Sequence, residues 1–110
     1  MRLCRREQFT ATLAAGDPRA RRHFRLYVRR NGLSQARIGI IASRRVAPRA
    51  VDRNRMKRMV REAFRAMAPR PEGVDLVVEL RRCPGRQSGG TARAELVRLL
   101  EEVVAETRGG

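Results

Sequence analysis

The stretch 50–65, AVDRNRMKRMVREAFR, holds the densest run of chemically capable side chains in this sequence of 110 residues. Arg53, Lys57, Arg61 and Arg65 recur at four-residue steps with Asn54 and Arg58 beside them, and Met56, Met59, Val60, Ala63 and Met67 recur opposite. At 100° per residue this pattern predicts a helix with one apolar and one cationic face. Glu62 is the only acid after Asp52 in the segment, so like charges stand four apart, a penalty of about 0.2–0.5 kcal/mol per pair. Cations in the first turn also oppose the helix dipole. A phosphate backbone laid along that face would remove the repulsion, and the helix start offers free N–H groups to an anion. The chemistry predicted is recognition of a polyanion.

Side chains able to break bonds are scarce. A protein that hydrolyses a phosphodiester uses a carboxylate cluster around metal, or a His/Lys acid–base pair. The sequence has one histidine, His23, at a strand start, where a packing or surface role is expected. Neither catalytic residues nor metal ligands are expected. Cys4 and Cys83 stand far apart outside any ligand-like cluster and read as free thiols, and the glycines of 85–90 lack the GK[ST] phosphate cradle.

Charge agrees with the cationic face. Lys and Arg total 26 against 11 Asp and Glu, a net charge of +15. Residues 1–70 hold 20 basic and 4 acidic side chains, whereas 71–110 hold 6 and 7. An excess so localised implies a polyanionic partner, with nucleic acid the expected one. Arginine supplies 25 of the 26 cations, which favours forked phosphate contacts and stacking on bases.

The elements that must position these residues follow from periodicity. Phe9, Thr12 and Leu13 lie at helical spacing within 5–15, and Gly16-Asp17-Pro18 follows as a breaker. In 23–30, Phe24, Leu26 and Val28 alternate with Arg25, Tyr27 and Arg29, which predicts a half-buried strand, and Asn31-Gly32 supplies a turn. Residues 36–43 read as a more central strand. A helix is predicted from Asp52, as N-cap, to about Met67. Residues 74–80, VDLVVEL, read as a buried strand, 84–90 as a flexible loop, and the last helix starts near Thr91. Its stripe is Leu96, Leu99, Leu100, Val103 and Val104, with Glu95, Glu101 and Glu102 outside it. The order α-β-β-α-β-α predicts an α+β sandwich with one parallel βαβ unit.

Ala50, Val51, Arg53, Asn54, Arg55, Lys57, Arg58, Arg61, Glu62, Phe64 and Arg65 fit an AV-x-RNR-x-KR-x-x-RE-x-FR pattern that resembles the signature of bacterial ribonuclease P proteins. Phe9, Phe24-Leu26-Tyr27, Arg37-Ile38-Gly39, Ser43-Arg44-Arg45 and Asp75 also resemble that family, over about residues 2–104. The resemblance implies a single RNA-binding domain across 1–110: an α-β-β-β-α-β-α, ribosomal-protein-like sandwich with a four-stranded mixed sheet. It further implies a left-handed βαβ crossover, against the usual right-handed rule.

Two RNA surfaces are also implied. One is the RNR helix, with Arg53, Asn54, Arg55, Lys57, Arg58, Arg61 and Arg65, near the catalytic RNA. The other is a cleft for the 5′ leader of precursor transfer RNA, with Phe9, Leu13, Tyr27, Ser43, Arg44 and Arg45. Relatives often carry an aromatic where this sequence has Leu13, and lysines where it has Arg44 and Arg45. The chemistry would belong to the RNA subunit, which binds Mg²⁺, and the protein itself would hold no cofactor. The expected partners are the catalytic RNA and precursor transfer RNA, with neither a membrane nor a small-molecule substrate.

A structural RNA-binding protein of the ribosome is the alternative from another class, since such domains share this composition. A DNA-binding module is a third, without a helix-turn-helix or zinc pattern before the basic helix. No apolar run approaches the roughly 18 residues that span a bilayer, and the N-terminus has no signal-peptide stretch, so a cytoplasmic location is expected.

Overall fold

In the computed structural model, the described residues are 6–15, 18–85, 87 and 89–109. In chain order they form α1 (Arg6–Leu13), β1 (Arg19–Ala20), β2 (Phe24–Arg30), β3 (Arg37–Ile41), α2 (Ala50–Ala66), β4 (Val74–Leu80) and α3 (Gly89–Gly109). The strands make one mixed sheet in the order β1-β2-β4-β3, β4 running antiparallel to β2 and parallel to β3. The order α-β-β-β-α-β-α is the one implied by the family resemblance. Periodicity alone misses β1, whose two residues are too few to show a period.

The strand β4 lies between two neighbours and is covered on both faces, which is why VDLVV reads as a continuous run. On one face of the sheet Leu26, Ile38, Leu76 and Val78 join Met56, Val60, Ala63 and Phe64 of α2 and Leu96, Leu99, Leu100 and Val103 of α3 in the core. Burial of each of these side chains larger than alanine contributes about 1.5–3 kcal/mol. Phe64 thus serves the core. The last helix begins at Gly89, two residues before Thr91, because burial of Ala92 and Leu96 draws its first turn onto the core. Gly89 and Gly90 therefore leave the expected loop, while Arg86 and Ser88 lie outside the described residues, as do Cys4, Gly16 and Asp17. Glu95 departs from the expected outer acids: its carboxylate accepts hydrogen bonds from the His23 and Phe24 amides at 2.7 and 3.3 Å and meets His23 Nδ1 at 2.8 Å.

The other face of the sheet consists of three cross-strand rows. They are Arg29–Asp75–Arg37, Tyr27–Val77–Gly39 and Arg25–Glu79–Ile41. Against this face packs α1, with the Phe9 ring on Gly39: a methyl there would fall inside the ring's contact distance. Gly39→Ala is therefore expected to cost about 1 kcal/mol by displacing the ring, and to cost nothing in a Phe9→Ala background. Equal costs in both backgrounds, measured by denaturant unfolding, would show that Phe9 does not fill that space.

Candidate nucleic-acid interface

Helix α2 begins earlier than its sequence signal. Its N-cap is Arg49, in extended backbone and without a side-chain cap, and Asp52 sits in the first turn rather than at the cap. The reason is tertiary: Arg53 Nη1 donates to the carbonyls of Ala47 and Pro48, both at 2.9 Å, and folds the entering chain against the helix. Asp52 then offers negative charge to the helix N-terminus and stands 3.6 Å from Arg55.

The series Arg53, Lys57, Arg61, Arg65 drifts by about 40° at each step, because four residues exceed one turn of 3.6. It starts beside the core and ends fully outside. The straighter row is Asn54, Arg58, Arg61 and Arg65, at steps of four, three and four, spanning about 16 Å of helix. Asn54, Arg58 and Arg65 are exposed; Lys57 and Arg61 are half-buried. Among the described residues, Lys57, Arg58, Arg61 and Arg65 have no acidic partner. Arg55 turns away from the row, donating from Nη2 to the Pro84 carbonyl at 2.9 Å with the Cys83 thiol nearby, and its Nε is buried without an acceptor among the described residues. Of the seven RNR-helix residues, the structure brings five to the outer side and turns Arg53 and Arg55 inward. Periodicity could not show this, since the carbonyls that hold those two belong to other segments.

A cleft of about 500 Å³ opens at the end of the sheet nearest the start of α2, lined by Arg25, Ile41, Ser43, Arg45, Val46, Glu79, Leu80 and Arg81. Ser43 and Arg45 stand in it as expected; Arg44 is exposed in the same turn. Tyr27 lies one strand position inward, its hydroxyl donating to Glu79 Oε1 at 3.4 Å, and the Phe9 ring lies over the next strands. Leu13, at the end of α1, is 37% exposed, so packing into the core does not account for it. Sequence reasoning missed Arg25 and Arg81 as cleft residues. The alternation of β2 carried the signal for Arg25, which shares the face of Tyr27.

The buried carboxylate of Asp75 braces this face, and the half-buried one of Glu95, on α3, braces the turn that leads into β2. Burial alone would raise the pKa of Asp75, but Arg37 at 2.7 and 2.8 Å, Asn31 at 2.9 Å and the Arg29 charge hold it below its ordinary value. Glu95 is likewise held low, burial being outweighed by the hydrogen bonds from His23 and Phe24. Both groups are committed to scaffolding. Among the described residues no set of three or more His, Cys, Asp or Glu could hold a metal ion, and no helix is long and apolar enough to cross a membrane.

Residues 1–104 match the family model for ribonuclease P. The chain belongs to the ribonuclease P protein family. It is 38% identical over 105 residues to the ribonuclease P protein component of Ralstonia pickettii, covering 96% of this chain and 74% of that one. To the component of Chromobacterium violaceum it is 36% identical, over 96% of this chain and 84% of the other. Among solved structures it resembles the ribonuclease P protein from Thermotoga maritima, with a TM-score of 0.76 at 31% identity, over 93% of this chain and 96% of that one. The Staphylococcus aureus ribonuclease P protein gives 0.71 at 26% identity, over 94% and 91%. As a ribonuclease P protein component the chain acts in transfer-RNA processing, which sets aside the ribosomal and DNA-binding alternatives.

Proposed function

We propose that this chain binds the catalytic RNA of ribonuclease P along the outward row of α2 and the 5′ leader of precursor transfer RNA in the cleft beside Tyr27. The RNA holds Mg²⁺ and carries out hydrolysis of the leader junction, and the protein, in the cytoplasm, strengthens substrate binding without a cofactor of its own. One observation carries the reading: a line of guanidinium groups at Arg58, Arg61 and Arg65 that, among the described residues, no acid neutralises. Such a line is stabilised by a phosphate chain laid against it. In the cleft, Arg45 and Arg81 provide charge, Arg25 being paired with Glu79 at 3.5 Å, and Tyr27 provides a half-buried ring for stacking without strong sequence preference, as leaders of varied sequence require.

The leader assignment is tested by Tyr27→Ala. Loss of one stacked base weakens binding of leader-bearing precursor by about 10-fold and leaves mature transfer RNA unaffected, while Tyr27→Phe, which keeps the ring, stays close to the unmodified chain. Equal losses for precursor and mature transfer RNA would remove Tyr27 from the leader path.

A further inference from the structure

Four arginines, Arg21, Arg22, Arg81 and Arg82, converge at one corner, where the turn between β1 and β2 meets the chain leaving β4. His23 is the hub. Its carbonyl accepts from the Arg81 and Arg82 amides at 2.7 and 3.4 Å, and Arg81 Nη1 donates to the Arg21 carbonyl at 2.7 Å. From beneath, the Glu95 carboxylate takes the His23 amide and ring. Arg21 is neutralised by Glu102 at 2.8 Å. Arg22 and Arg82 are exposed, and among the described residues neither has an acidic partner.

We infer that this corner is a phosphate-binding extension of the cleft, with Arg22 and Arg82 holding leader nucleotides upstream of those beside Tyr27. The inference rests on the leader reading proposed above. Gathering like charges opposes folding, and a turn that only met water would not require a nearly buried His–Glu pair to fix it against a second arginine-bearing segment. Continuity gives the direction. Arg81 belongs to both places: it lines the cleft and bonds to the corner. Arg22 precedes Arg25 by three residues, about 10 Å of extended chain away from the cleft lining. The opposite wall, Ser43 and Arg45, leads through Pro48 to α2 and so to the catalytic RNA. A strand that enters the cleft from the α2 side leaves past Arg81 toward Arg22 and Arg82.

The test uses the chain assembled with a bacterial ribonuclease P RNA, and precursors whose leaders lengthen from about two to about twelve nucleotides, within the range bridged by single-strand sites. Affinity of the unmodified complex is expected to rise with length and level off. The double variant Arg22→Gln/Arg82→Gln matches it on short leaders and falls about 10-fold behind on long ones, with a salt slope shallower by about 1.4 for two lost phosphate contacts. Arg22→Lys/Arg82→Lys, which keeps the charge, retains most of the gain. Identical affinities at every length would overturn the extension, leaving the corner merely solvated. Equal losses at every length, mature transfer RNA included, would also overturn it and assign the corner to the catalytic RNA. If the unmodified complex itself gains nothing from a leader, the cleft reading fails and takes the extension with it.

Discussion

Replacing Arg58, Arg61 and Arg65 together with alanine is expected to weaken RNA binding by about 10- to 100-fold at moderate salt, and to flatten the dependence of log K on log salt by about 2 to 3. The second number carries the argument, because each phosphate contact releases about one counterion and three contacts are removed. The fold should not suffer. These side chains have no acidic partners among the described residues, and removing like charges at three- and four-residue spacing relieves a few tenths of a kcal/mol. Arg53→Ala supplies the contrast: it breaks two hydrogen bonds to the Ala47 and Pro48 carbonyls, so it should lower stability by about 1–2 kcal/mol with little change in salt slope. Binding by the triple variant with an unaltered slope would show that the row meets water rather than phosphate.

The largest loss of stability is expected from Asp75→Ala. The carboxylate is fully buried between Arg37, Asn31 and Arg29, and its removal leaves the mostly covered Arg37 guanidinium without its partner. Breaking such a pair costs about 3 kcal/mol, a fall in Tm on the order of 10 °C or more for a domain of this size. The pH dependence follows from the direction of the shift. The folded-state pKa of Asp75 lies below its unfolded value, so its contribution is present above about pH 4 and is lost as pH falls through the folded value. Glu95 has the same sign. Unmodified protein should therefore lose stability steadily below about pH 4, and Asp75→Ala should lose less over the same interval. Parallel acid profiles for the two proteins would show that Asp75 is not held ionised by its neighbours.

Much of this architecture is legible in the residues. The alternation from Phe24 to Arg30 gives a strand with one face wet, and the run from Val74 to Leu80 gives a strand covered twice. The wheel from Ala50 to Ala66 gives both the core face and the cationic one. What periodicity cannot supply is direction. Arg53 and Arg58 are alike as letters, yet one bonds to carbonyls of the preceding loop while the other stands in solvent. Glu95 reads as an outer acid until His23 is seen beneath it, 72 residues away in sequence. The strand Arg19–Ala20 is too short to show a period, and exists because β2 offers it an edge. The glycines at 89 and 90 read as loop because burial of Ala92 and Leu96, which fixes the helix start, belongs to tertiary structure. The RNR pattern identifies the family, but the selection of its members that face outward comes from the fold.

The most direct measurement is reconstitution. The chain is freed of nucleic acid by nuclease treatment and combined with a bacterial ribonuclease P RNA, at a magnesium concentration where that RNA alone leaves precursor transfer RNA intact. Cleavage at the leader junction should appear in the combination, and be absent from the chain alone at any magnesium concentration. Cleavage by the chain without RNA, or no gain from adding it to the RNA, would contradict the division of labour in which guanidinium groups hold the substrate and RNA performs the hydrolysis.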